Sequence, residues 1–594
     1  MKKIKAPFSG TFKNFLPLKQ YFIRNRWPLA LGLFSLLVVD FLQLLIPLVI
    51  KKAIDLLTTE AVDTHTLFKH GGIILGIALV IVFFRYLWRL LIFGHSRKVE
   101  KELRNRLYEH LQTLSLSFYQ RTKTGDIMAR AINDINAVRM AAGMGLVALT
   151  DGAVLGIAAI GFMVSINVKL TLISLIPAPI VIITTRILAQ RMSSGFEKVQ
   201  NSFSGLTERV REAFAGIRVT KAYNRDSWEY QRVKEKGQVC ISANLDMAKI
   251  LAILFPLMAI VTNVGLAIVI WLGGSLTILG HISIGDFVAF TGYLNLLTWP
   301  MMAMGWVTSL IQRGSASMGR INRILEEVPE IADTPQYRAI HRIKGGIEIS
   351  GLNFRYPGKK DFALKGIQLM IDPGETVAVV GGVGSGKTTL LHAIPRLLDA
   401  APRTIFVDGH DVREIPLKTL RENIGLVMQE PFIFSDTIRS NILFGRSSIS
   451  QKDLEAVLQA ASILEEIKAL ENGLDTILGE RGVTLSGGQR QRLTIARALI
   501  LDPPILILDD ALSMVDTRTE ERILNRIMQI RRNKTNMIVS HRISTISWAD
   551  RIVVLERGNL IEQGSHNELM ELAGIYRRLY RKQRLTRELE SGGL

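Results

Sequence analysis

Two stretches far apart in the chain carry residues that could work together on a phosphate. Gly381–Thr388, "GGVGSGKT", has the spacing G-x-x-x-x-G-K-T, follows the apolar run "TVAVV" and opens a helical stretch. In that setting the spacing is a P-loop, whose glycines let backbone N–H groups curl around phosphate oxygens while the helix start adds positive potential. Lys387 is expected to reach the β- and γ-phosphates, and the Thr388 hydroxyl to bind Mg²⁺. Gly381, Gly382, Val383, Gly384, Ser385, Gly386 and Thr389 complete the expected cradle. The second stretch, "ILILDD" (Ile505–Asp510), ends an apolar run in two carboxylates. Asp509 stands where the acidic partner of Mg²⁺ belongs downstream of a P-loop. Asp510 stands where a carboxylate could polarise an attacking water.

These residues need a rigid frame. Short apolar runs alternate with helical stretches, as in "TVAVVG", "NIGLVMQ", "PILILDD" and "NMIVSH". That alternation predicts an α/β domain with a mainly parallel sheet, here residues 346–580. A polar, Pro-containing linker, 326–345, precedes it, and a short tail, 581–594, follows, whose end "RELESGGL" is expected to fray.

The rest of the chain has another character. At 594 residues several domains are expected. Hydrophobic residues make up 48% and the mean hydropathy is +0.24, high beside 21% charged residues. Six stretches are long and apolar enough to cross a bilayer: Trp27–Ile50, Gly71–Phe93, Ala141–Ile166, Leu170–Ala189, Ile250–Leu272 and Phe287–Ile311. They define a membrane domain over 28–325, with a tight "NVK" hairpin between the third and fourth spans. The first span starts too late, and lacks the small-residue cleavage site, for a cleaved signal peptide. Residues 1–27 form a basic segment suited to the membrane interface.

Arg97–Arg139 and Arg191–Lys249 are rich in Lys and Arg, whereas "TILGHISIG" (Thr277–Gly285) on the other side has neither. The positive-inside rule then puts both long loops and both termini in the cytoplasm of an inner-membrane protein. Both loops have helical periodicity, with turn-like breaks at Phe118–Asp126 and Glu212–Asp226, the expected tips of two helical hairpins. The net charge of +20 fits this pattern, and no aromatic-rich basic motif points to nucleic acid. The single cysteine, Cys240, excludes an intrachain disulfide framework.

Between the P-loop and the paired aspartates lies "LSGGQRQR" (Leu485–Arg492). With it, the chain resembles an ATP-binding cassette (ABC) exporter half-transporter: six spans followed by one cassette. The resemblance implies roles for further residues. Tyr356 in "FRYPG" is similar to the aromatic that stacks on adenine, and Gln429 in "VMQE" to the Q-loop glutamine that senses Mg²⁺ and water. "SMVD" (Ser513–Asp516) takes the D-loop position and His541 that of the switch histidine. It also implies a dimer in which Ser486, Gly487, Gly488 and Gln489 of this signature contact ATP held by the partner. The cofactors implied are ATP and Mg²⁺.

One residue departs from the pattern. The family usually has glutamate where this chain has Asp510, and losing a methylene draws the carboxylate back from the water it must reach. A shortened base beside an intact signature resembles the degenerate-site subunit of bacterial heterodimeric multidrug exporters, whose partner half carries a catalytic Glu. The alternatives are a homodimeric lipid or peptide exporter with slow ATPase, and an ATP-gated channel or regulatory sensor. Within the spans, Asp40, Arg85 and Asp151 either line a cavity or form structural pairs, and Arg89 either shares Arg85's face or snorkels to the cytoplasmic edge. "NLLTWPMMAMGW" (Asn295–Trp306) suits either an adaptable surface for a hydrophobic substrate or ordinary packing against lipid.

Overall fold

The structure, a computed structural model, describes residues 13–58, 64–333, 343–446, 449–479, 482, 484–540, 542–543 and 546–591. It divides into two compact units, Met1–Gln112 with Lys123–Glu327, and Thr113–Thr122 with Val328–Leu594.

The first unit is helical. Its long helices are α1 (Arg26–Leu57), α2 (Thr64–Thr113), α3 (Thr124–Ile166), α4 (Pro177–Ala215), α5 (Asp226–Ile268) and α6 (Ile284–Leu325). Among the described residues, three helices meet the length and hydropathy needed to cross a membrane: α1, α2 and α3. The spans expected around Ile250–Leu272 and Phe287–Ile311 fall on α5 and α6, several of whose side chains lie outside the described residues. The fourth expected span, Leu170–Ala189, is not one helix. A short helix, Val168–Ser174, ends before Leu175, and Pro177 opens α4. Proline suits that first position, where its missing N–H would have no helical partner. The "NVK" hairpin holds: Asn167 is extended and its side chain accepts the Leu170 N–H at 2.9 Å.

Polar fastenings fix α6 at both ends. Near its start, Lys51 of α1 pairs with Asp286 at 2.5 Å, and Asp55 accepts the Gly285 N–H at 2.8 Å. Near its end, Asp134 of α3 accepts from the Ser317 hydroxyl at 2.9 Å and from the Arg320 guanidinium at 2.9 and 2.5 Å. Between them, Leu44, Leu155, Phe290, Tyr293 and Leu297 form a buried cluster from α1, α3 and α6.

The second unit carries two sheets. The larger one has the order β10-β9-β3-β8-β7-β6, built from β3 (Thr376–Gly381), β6 (Ile424–Val427), β7 (Ile505–Asp509), β8 (Thr535–Val539), β9 (Arg551–Glu556) and β10 (Asn559–Gly564). All its pairings are parallel except β9 with β10. Both faces of β7 are covered: Ile505 and Ile507 pack with Leu390 and Leu391, and Leu506 and Leu508 with Leu493 and Ile523. That is why its sequence is continuously apolar.

A second, wholly antiparallel sheet was not foreseen. It joins β1 (Ile347–Phe354), β2 (Leu364–Ile371), β4 (Ile405–Val407) and β5 (His410–Asp411) in the order β2-β1-β4-β5. Its strands alternate buried and exposed residues, a weaker sequence signal than an unbroken apolar run.

Two boundaries also differ from expectation. The helix Ile575–Ser591 runs through the supposed cassette end at 580 and includes most of the tail expected to fray. Thr113–Thr122, around the first hairpin tip, groups with the second unit. There Ser115 accepts the Ile331 N–H at 2.9 Å and Ser117 donates to Glu330 at 2.5 Å, while Asp333 accepts the Leu417 N–H at 2.8 Å. The second tip is a short helix, Ile217–Ala222, bounded by Gly216 and Tyr223.

Candidate functional site

β3 ends at Gly381, and the chain turns through Gly382–Gly386 into α7 (Lys387–Ala393). Side chains are excluded at the two ends of this turn. A Cβ on Gly381 would sit 2.2 Å from the Leu555 carbonyl oxygen, and one on Gly386, at φ +102, 2.7 Å from that of Ala363. Both contacts are with backbone, which cannot yield. Val383 is 98% exposed, so its side chain contributes no packing to the loop.

One cavity of about 310 Å³ gathers Tyr356, Val383, Gly384, Ser385, Gly386, Lys387, Thr388, Thr389, Gln429, Asp509 and Asp510. These come from four separate places in the chain, and all were singled out from the sequence. The Lys387 ammonium is buried and donates to the carbonyls of Gly381 at 3.0 Å and Gly382 at 2.8 Å. Burial pushes its pKa below the ordinary lysine value, against the pull of Asp509 and Asp510. Tyr356 is fixed by a 3.0 Å hydrogen bond between its hydroxyl and that of Thr389, and by edge-to-face contact with Phe354.

The two aspartates face differently. Asp509 is the last residue of β7, in register with Val539, and it continues the row of Ile505 and Ile507 toward the α7 side of the sheet. Asp510 is left-handed, with φ +47, and its N–H donates to the Val539 carbonyl at 3.1 Å. A non-glycine residue in that region is strained by about 1–3 kcal/mol, a feature that clusters at functional sites. Asp510 also borders a second cavity of about 100 Å³, walled by Glu520, Ser540 and Arg542.

The signature segment lies elsewhere: none of Ser486, Gly487, Gly488 or Gln489 lines the P-loop cavity. Ser486 caps α8 (Gly487–Leu499) in a capping box, accepting the Gln489 N–H at 3.2 Å while the Gln489 side chain accepts the Ser486 N–H at 2.8 Å. A Cβ on Gly488 would sit 3.0 Å from the Met514 carbonyl oxygen, and one on Gly487 would push the exposed Met514 side chain aside.

Two supports of this segment were missed from the sequence. Fully buried Gln491 donates to the Ser513 hydroxyl at 3.0 Å and accepts the Met514 N–H at 2.9 Å, tying α8 to "SMVD". Glu466 accepts from Gln489 at 2.8 Å and from Arg492 at 2.6 and 3.0 Å. Burial alone would raise the Glu466 pKa, but Arg492 and Gln489 hold it below the usual carboxylate range. Gln491 stood inside the quoted motif, but no sequence signal pointed to Glu466. Asp516 caps α9 (Thr517–Ile530) by accepting the Thr519 N–H at 3.0 Å. His541 lies outside the described residues.

Comparison with known proteins decides the family. Residues 29–301 match the ABC transporter transmembrane region and residues 364–513 the ABC transporter family. The chain belongs to the ABC transporters. It is 36% identical to the multidrug resistance-like ATP-binding protein MdlA of Escherichia coli K12, over 97% of this chain and 98% of that protein. It is 34% identical to an ATP-dependent lipid A-core flippase of Desulfotalea psychrophila, over 94% and 97% of the two chains. Among solved structures it resembles a bacterial Atm1-family ABC exporter with ATP bound, with a TM-score of 0.78 and 27% identity over 96% of this chain and 99% of that one. The transporter therefore joins a helical transmembrane domain to an α/β ATP-binding domain, and it hydrolyses ATP to drive transport.

Proposed function

We propose that this transporter is one half of a heterodimeric exporter of hydrophobic or amphipathic compounds, and that its own ATP site is the slow one. The observation that carries the reading is Asp510: a shortened carboxylate at the tip of β7, in the cavity that holds Lys387 and Thr388.

In this reading Lys387 exchanges the Gly381 and Gly382 carbonyls for β/γ-phosphate oxygens, and Tyr356 stacks on adenine. Thr388, Gln429 and Asp509 offer oxygen donors in one cavity, the set a hard divalent cation takes, and so fit Mg²⁺. When bound, Mg²⁺ neutralises charge on the β- and γ-phosphates. Asp510 orients water poorly because its carboxylate is one methylene short of the glutamate usual here. Gln429 reports on the γ-phosphate, and His541 is assigned the switch-histidine role by its motif.

The signature serves the other site. Because Ser486–Gln489 stand apart from this chain's cavity, the start of α8 is available to ATP held by the partner. ATP binds both cassettes only when they are closed, so it favours the outward-facing state, and hydrolysis resets the cycle. The basic loops support a cytoplasmic location for both termini and the cassette. Likeness to multidrug resistance-like proteins supports a broad substrate range, and likeness to a lipid A-core flippase supports the second reading, a homodimeric lipid exporter.

Purification from the native host tests the pairing. The expected complex contains a second, different half-transporter with glutamate at the position equivalent to Asp510. Recovery of this chain only with copies of itself contradicts the heterodimer. Directional, ATP-dependent substrate movement in vesicles is expected, and passive ion current contradicts export.

A further inference from the structure

In the helical unit, α1, α2, α3 and α6 enclose a cavity of about 460 Å³ that the nucleotide chemistry does not use. Its wall carries three donors without an acceptor. Arg85 and Arg89 are one helical turn apart on α2, and among the described residues neither has a hydrogen bond or an ion pair. The Arg89 guanidinium lies 5.6 Å from the ring centre of Trp88. Trp88 is itself nine-tenths buried, lines the same cavity, and its indole N–H has no acceptor. An indole N–H and a guanidinium can only donate, so what completes this wall is an acceptor.

The carboxylates nearby do not supply it. Asp151 lines the cavity but accepts from the Trp299 indole N–H at 3.2 Å and forms no ion pair with either arginine. Asp40 is sealed from solvent and faces Asp151 instead of an arginine. An unpaired guanidinium at membrane depth is costly, and such groups usually face a ligand path. Two guanidinium forks on one helix face match the geometry of a phosphate or carboxylate. Trp299 and Trp306 add large apolar surface to the same cavity.

We propose that this cavity binds anionic amphiphiles, with Arg85 and Arg89 clamping a phosphate or carboxylate head group and the indoles receiving the tail. This names a substrate class for the exporter and rests on the proposed export function. Head-group selection is nevertheless measurable without ATP.

The test uses the purified transporter, with whatever second half it carries, in phosphatidylcholine nanodiscs. Dodecyl phosphate and dodecyltrimethylammonium are titrated against tryptophan fluorescence. Dodecyl phosphate should bind saturably and about tenfold or more tighter than the ammonium. Arg85→Gln and Arg89→Gln should each weaken it about tenfold, with partial recovery in Arg85→Lys and Arg89→Lys. Asp151→Asn should leave phosphate binding unchanged or tighter, because it removes a like charge. Intact ATP binding by each variant reports that it is folded.

Equal binding of the two head groups overturns the proposal. So does wild-type phosphate affinity in folded Arg85→Gln and Arg89→Gln. In nanodiscs that mix phosphatidylglycerol with phosphatidylcholine, enrichment of phosphatidylglycerol around wild type but not around the double glutamine variant identifies a bilayer lipid as the source. Dodecyl phosphate binding without that enrichment identifies a free amphiphile, and either result upholds the head-group chemistry. Loss of ATP-driven transport with head-group preference intact would contradict only the export reading.

Discussion

The two carboxylates at the end of β7 point different ways because the strand pleat stops between them. Asp509 keeps the alternation of Ile505 and Ile507, whereas Asp510 turns left-handed at φ +47 and borders both the P-loop cavity and its small neighbour. In the proposed reading, Lys387 is the group that meets phosphate in the same cavity. Lys387→Ala removes the charged donor, so nucleotide affinity at this chain's site should fall by about tenfold to a hundredfold while the fold persists. Photolabelling with an ATP analogue checks this, and labelling of the folded variant at wild-type affinity contradicts the assignment. The P-loop and the paired aspartates were legible in the sequence because each is a run of adjacent residues whose backbone makes the site. The Tyr356–Thr389 hydrogen bond and the left-handed turn at Asp510 were not, since both depend on neighbours distant in sequence.

At the scale of elements, α8 and the "SMVD" segment are tied together because Gln491 uses both ends of its amide on Ser513 and Met514. Gln491→Leu keeps the volume but removes both hydrogen bonds, to the exposed Ser513 hydroxyl and to the Met514 N–H, that the buried amide makes. Stability should drop by about 1–3 kcal/mol, read by thermal unfolding, with a further loss of ATPase as the two segments decouple. Unchanged unfolding and ATPase would show that the tie is incidental. Element types were legible wherever burial is uniform: β7, covered on both faces, is apolar throughout. Legibility failed where one face meets water, as in β1 and β2, and where a single proline decides a break, as at Pro177. The helix Ile575–Ser591 went unseen because its strongly basic composition resembles a solvated tail.

For the whole molecule, the basic loops support a proposed orientation that thiol labelling can test. With Cys240 replaced, single cysteines at Lys123 and Lys221 should be protected from an impermeant reagent in intact cells, and those at His65 and His281 should react. Labelling at 123 from outside would overturn the topology. The asymmetric dimer is the central claim, and steady-state ATPase of purified complexes tests it most directly. A working general base contributes about 10²–10⁴-fold, so its loss is easily told from that of an idle one. Asp510→Ala should lower turnover only modestly, because this chain's site is already slow. Ser486→Ala should lower it as severely as removing the partner's glutamate, because this signature completes the partner's site. Equal and severe loss from Asp510→Ala and Ser486→Ala, in a complex containing only this chain, would contradict the account and make Asp510 a functional base in a homodimer with two working sites.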